Sequence, residues 1–285
     1  MRFAFKTSPQ NTAWHDMLAV WQAADDIDVF ESGWTFDHFY PIYSDPAGPC
    51  LEGWTTLTAL AQATKRLRVG VLVTGIHYRH PAVLANMAAA LDIVSGGRLE
   101  LGIGAGWNEE ESGAYGIELG SIKERFDRFE EACEVLTSLL SKETTTFDGK
   151  YYQLKDARNE PKGPQRPHPP ICIGGSGEKR TLPLTAKYAD HWNFVGGPPE
   201  EFARKRDVLA ARCADIGRDP HEITLSAHVR LEPDLDYAKV VHDAGSLGKE
   251  GLDLAVIYLP PPHDPRVLEP LAEAIRDSGL TSKFN

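Results

Sequence analysis

Residues 99–111, LELGIGAGWNEEE, decide how this chain is read. An apolar run opens into three alternating glycines, Gly102, Gly104 and Gly106, and then into Trp107, Asn108 and three glutamates. The run has the composition of a strand buried on both faces, and glycines at its end admit a positive φ or a close backbone approach to something flat or anionic. One glycine cluster is equally compatible with a plain turn, but the pattern recurs. PPICIGGSGEKRTL at 169–182 has a short apolar strand, then Gly174, Gly175 and Gly177, then a helical run, and SGWTFDHF at 32–39 sets Asp37 and His38 just past another strand.

Outward from these stretches the order alternates. Strands are predicted at 2–5, 29–36 in part, 67–73, 99–103, 171–173, 191–195, 223–227 and 254–258. Helices are predicted at 14–26, 51–64, 81–94, 123–140, 179–188, 200–216, 236–245 and 265–276. Alternating strand and helix units of this number make an α/β chain closing as a (β/α)8 TIM barrel, a single domain over 1–285. Pro81 suits a first helical position and Gly217 a helix stop. TTTFDGKYYQLKD at 144–156 breaks the alternation with a hairpin signal around Asp148-Gly149, an insertion between the fourth helix and the fifth strand. The proline-rich NEPKGPQRPHPP after it is a loop.

A formal net charge of −11 argues against a nucleic-acid partner, and any anionic ligand must be held locally. No apolar run approaches the roughly 18 residues of a membrane span, and the N-terminus reads as a strand rather than a signal peptide, which predicts a cytoplasmic location. Cys50, Cys133, Cys172 and Cys213 are far apart and the histidines lack metalloprotease spacing, so neither disulfides nor a metal site is expected.

In such a barrel the active site is built from loops after the strands' carboxyl ends, where all the unusual stretches fall. His38 is expected to serve as a proton-exchange group, oriented or charge-stabilised by the adjacent Asp37. Gly174, Gly175, Ser176 and Gly177 ahead of a helix form a phosphate cradle of backbone N–H groups, with a hydroxyl added by Ser176. Neither glycine cluster fits G-x-G-x-x-G, which disfavours a Rossmann site. Trp107 and Trp192 offer walls for a planar ring. Glu109, Glu110 and Glu111 read as a solvated face, Lys123, Arg125 and Arg128 as helix surface, and His80 as the residue that starts a helix.

The chain resembles the luciferase-like flavin and deazaflavin oxidoreductases, most closely the branch using coenzyme F420. The resemblance runs through FDHF at 36–39, LVTGIHYRHP at 72–81, DIVSGGRLELGIGAGWNEEE at 92–111, PPICIGGSGEKRTL at 169–182 and AKYADHWNF at 186–194. It implies a β/α barrel, often dimeric, that transfers a hydride between F420 and a small organic substrate. By motif it places Asp37 and His38 beside the deazaflavin ring, Thr74 and Asn108 against the ring, Gly104 in the strand-four loop, and Gly174 and Gly175 on the phosphate. It also implies a non-prolyl cis peptide near Val71-Leu72, to within one residue. Relatives that oxidise glucose 6-phosphate carry a Glu where this chain has Ala105 or a gap, a Trp where it has Ile42, and basic residues that GGPPEE at 196–201 lacks. The alternatives are an FMN-dependent monooxygenase and a non-catalytic F420-binding protein.

Overall fold

The structure is a computed structural model and describes residues 1–281. The chain begins β1 (Arg2–Lys6), α1 (Trp14–Asp25), β2 (Phe30–Thr35), α2 (Gly53–Ala63), β3 (Arg68–Val71), β4 (Thr74–Gly75) and α3 (Pro81–Val94). It continues β5 (Leu99–Gly104), α4 (Glu109–Ala114), α5 (Ile122–Ser141), then a hairpin of β6 (Thr145–Asp148) and β7 (Gln153–Ala157). It completes with β8 (Ile171–Gly174), α6 (Thr181–Tyr188), β9 (His191–Phe194), α7 (Pro199–Asp215), β10 (Thr224–Arg230), α8 (Tyr237–Lys249), β11 (Leu254–Tyr258) and α9 (Leu268–Asp277).

Strands β1, β2, β3, β5, β8, β9, β10 and β11 pair in that order, all parallel, and β11 returns to β1. This is a closed (β/α)8 barrel, as the alternating pattern predicts. The antiparallel β6–β7 hairpin sits where expected, between the fourth large helix and the fifth barrel strand.

Two layers of burial hold the barrel. Inside, Ala4, Trp34, Leu72, Cys172, Leu254 and Val256 pack as one cluster. Gly70 makes room for the Trp34 ring, because a Cβ there would lie 2.3 Å from it. Outside, Phe5 meets Trp21 and Phe30 edge-on at 5.3 and 5.7 Å, and each fully buried ring of this kind contributes roughly 1.5–3 kcal/mol.

The elements depart from the expected ones in a few places. The third barrel strand is split by the expected cis peptide, at Leu72-Val73, within one residue of Val71-Leu72. The Leu72 N–H still donates to Thr35 O at 2.9 Å, so the ladder persists through Leu72 before β4 resumes against Ile103 and Gly104. The short helix α4 was not anticipated; Asn108 starts it by accepting the Glu111 N–H at 3.1 Å. Strand β10 runs on to Arg230 and β1 to Lys6, beyond the apolar runs that mark them.

Candidate functional site

At the carboxyl end of the barrel lies a cavity of about 710 Å³, a volume that suits a small molecule or cofactor. Asp37, His38, Leu72, Val73, Gly104, Gly174 and Gly175 are among its walls. A Cβ on Gly104 or Gly174 would press on the Val73 side chain at 3.0 or 3.1 Å, so these glycines leave a smooth surface beside the Leu72–Val73 peptide.

His38, at the end of the second strand, is buried between Phe36 and Trp107, which it meets edge-on at 5.0 and 5.6 Å. Its Nδ1 lies 2.8 Å from Glu111 Oε2. Glu111 is fully buried and also accepts from the Phe39 N–H at 2.6 Å and from the Tyr78 hydroxyl. Burial pushes this carboxyl up, but the hydrogen bonds from His38, Tyr78 and Phe39 outweigh it and hold it below its usual range. An ionised carboxylate only accepts, so Nδ1 carries the proton and Nε2, which has no hydrogen-bond partner among the described residues, faces the cavity.

This corrects two expectations. Asp37 does not orient His38: its carboxylate is held bidentately by Arg79 at 2.5 and 3.1 Å, and Arg79 also binds Glu52 at 2.8 Å. Glu111 is not part of a solvated face, because the short helix α4 turns it inward while Glu109 and Glu110 stay exposed. The signal that could have found it is the i, i+3 spacing from Asn108, a capping pattern that fixes which glutamate points in.

The glycine loop after β8 is anchored from below. Trp192 donates from Nε1 to Gly175 O at 2.7 Å and stacks on Phe202 at 5.8 Å. It is therefore a support beneath the loop, whereas Trp107 lines the cavity, stacked on Tyr43 at 5.6 Å. The Gly175 N–H is spent on Asn193 O at 3.1 Å, so it cannot hold an anion. The N–H groups of Ser176, Gly177, Glu178, Lys179 and Arg180 have no acceptor among the described residues and lead into α6, an arrangement that favours an anion. Gly175 itself has φ +114°, a region open to glycine.

The remaining expected contacts fall outside the cavity wall. Val71, Thr74, Asn108, Ser176 and Gly177 do not line it. Thr74 is fully buried and accepts from Trp54 Nε1 at 2.8 Å, and Asn108 caps α4. Lys123, Arg125 and Arg128 pair with Asp127, Glu109 and Glu118. The His80 side chain caps α3 through the Ala82 N–H at 3.1 Å, as expected.

The sequence pattern that defines the luciferase-like monooxygenases matches residues 1–263. The chain belongs to that family. Among similar proteins, this luciferase-like chain is 31% identical over 251 residues to an F420-dependent glucose-6-phosphate dehydrogenase of Amycolatopsis mediterranei (strain U-32), spanning 85% of this chain and 72% of that one. It is 32% identical over 215 residues to an F420-dependent hydroxymycolic acid dehydrogenase of Mycobacterium tuberculosis (strain ATCC 25618 / H37Rv), spanning 72% of this chain and 55% of that one. Its fold matches an F420-dependent secondary alcohol dehydrogenase solved with an F420-acetone adduct, with a TM-score of 0.84 at 21% identity over 97% of this chain and 99% of that one. Among the described residues no helix is long and apolar enough to cross a membrane.

Proposed function

We propose that the protein is an F420-dependent oxidoreductase that transfers a hydride between the deazaflavin and a small organic substrate, with His38 as the proton-transfer group. The observation that carries this reading is the Glu111-held His38, its free Nε2 turned into a cavity whose glycine wall suits a flat ring. The F420-dependent names of the similar proteins support the choice of cofactor.

The residues fit the group. Gly104, Gly174, Leu72 and Val73 would hold the ring, and the free N–H groups from Ser176 to Arg180 would hold its phosphate. When bound, reduced F420 would donate the hydride and oxidised F420 would accept it. The chain supplies position and a proton: Glu111 fixes the His38 tautomer, Nε2 gives or takes the substrate proton, and Phe36 and Trp107 keep the imidazole in one orientation. Asp37 has a different task, since its salt bridge to Arg79 ties the β2 end to the loop before α3.

F420 should bind at least about tenfold more tightly than FMN, or about 1.4 kcal/mol, in a fluorescence titration. Equal or reversed affinities, with oxygen consumed in the presence of reduced FMN, would favour a monooxygenase instead. Turnover by the F420-loaded protein in a screen of alcohols, imines and activated enones would separate an enzyme from a binding protein and identify its substrate. A second copy of the chain fits the outer faces of α2 and α3, which expose Val83, Ile93 and Val94 and no charged side chain. Light scattering at twice the monomer mass would support that dimer, and a monomer would remove it.

A further inference from the structure

The wall of the cavity opposite the glycine loop carries cations that no carboxylate neutralises. Lys6, Arg230 and Tyr258 are the last residues of β1, β10 and β11, and they lie in register across the three strands. Their side chains gather there: Lys6 Nζ is 5.1 Å from the Tyr258 ring centre and the Arg230 guanidinium 4.9 Å. His228, one inward step below Arg230, lines the same wall, and its buried Nε2 has no hydrogen-bond partner among the described residues. Among the described residues neither Lys6 nor Arg230 forms an ion pair; Glu232 shares the rim without reaching either. The Lys6 ammonium donates to Leu72 O at 2.9 Å and is otherwise uncompensated, and burial together with the Arg230 charge pulls its pKa down to about 7. A buried lysine beside an exposed arginine that repels it, with a stranded imidazole nitrogen below them, forms a site short of an anion.

Resting on the F420 reading above, we propose that the substrate carries an anionic oxygen group, a carboxylate or a phosphate, that binds between Lys6 and Arg230 above His228. Topology argues for the substrate over the cofactor's own phosphate. Strand β8, which leads into the glycine loop, is four strands from β1 and two from β10 in the eight-stranded barrel, so Lys6 stands across the mouth from the glycine loop and Arg230 a strand short of it. Strand β2, whose following loop carries His38, is the direct neighbour of β1. A substrate anchored at Lys6 and Arg230 therefore has its reacting carbon on the His38 side. The substrate class is a small carboxylic or phosphorylated alcohol, or the corresponding carbonyl compound.

The test is a titration of the F420-loaded protein with cyclohexanecarboxylate, its uncharged isostere cyclohexanecarboxamide, and inorganic phosphate, read by calorimetry and by the F420 fluorescence. The carboxylate should bind at least about tenfold more tightly than the amide, and Arg230→Gln, an exposed position whose loss leaves the core intact, should abolish that preference while shifting F420 affinity less than about threefold. Lys6→Met should act in the same direction. Equal binding of carboxylate and amide, or no anion binding at about 10 mM, would overturn the proposal. So would an Arg230→Gln protein that keeps the preference but loses F420 affinity about tenfold, which assigns the cluster to the cofactor's own anionic tail. If the wild-type protein binds FMN and not F420, the cofactor reading fails, and the same titrations on the FMN-loaded protein still decide the anion.

Discussion

The barrel buries two histidine–glutamate pairs, and they do different things. Near the amino ends of the strands, His191 Nδ1 lies 3.0 Å from Glu100 Oε2, and its Nε2 lies 2.6 Å from Ser226 Oγ. Glu100 is further held by Arg68 at 2.7 Å. At the other end, His38 makes the same Nδ1 contact to Glu111, but its Nε2 opens onto a cavity. A histidine with both nitrogens engaged is a structural joint, and one with a single nitrogen engaged is oriented for chemistry. The distinction depends on the second nitrogen, since both imidazoles are buried and both face a carboxylate.

The largest effect that sharpens this contrast belongs to the lower pair. Burial disfavours charge on both groups, yet the neighbouring Cys172 and Glu100 raise His191 to about 10, and His191 and Arg68 lower Glu100 to about 2. Glu100→Gln should cost about 3–5 kcal/mol of stability in urea unfolding, with turnover per folded molecule unchanged. A raised histidine pKa contributes stability that is complete below about 6.5 and fades as pH rises through about 10, whereas a lowered carboxyl contributes above about 4.5 and fades as pH falls through about 2. The gap between wild type and variant should therefore be widest between about pH 4.5 and 6.5 and narrow toward pH 10. A flat difference across that range would mean the pair is held by packing alone.

Next in size is the glycine loop. Gly175→Val places a branched side chain at φ +114° and should weaken F420 binding by more than about tenfold, while Ser176→Ala, which leaves the free N–H groups in place, should cost less than about threefold. Similar losses in a binding titration would put the anion elsewhere.

These expectations also mark what the amino-acid sequence alone makes legible. The barrel was readable because each strand is an apolar run bounded by helical periodicity, and the loops at one end announce themselves by glycines and by Asp37-His38. Glu111 was not, because a run of three acids reads as solvent-facing until Asn108 fixes the phase of α4. Lys6 and Arg230 were missed for a related reason: polar residues at the ends of β1 and β10 look like the start of a loop, and only the ladder across β11 shows that they still belong to the barrel. Asp37 was misassigned because neighbours in sequence on a strand end point in opposite directions, one toward Arg79 and one toward Glu111.

The smallest effect is the support given to His38. Glu111→Gln keeps the shape but removes the charge that fixes the tautomer, and should lower kcat about tenfold with KM little changed. A rise in KM at constant kcat would make Glu111 part of substrate binding.

The most direct measurement is the His38→Ala enzyme, assayed for F420 affinity by titration and for kcat at saturating F420 with the substrate from the screen. The account predicts a kcat lowered by about 10² to 10⁴ with F420 affinity within about threefold of wild type. A variant that loses F420 binding yet turns over at the wild-type rate once saturated would make His38 a binding residue and contradict the assignment.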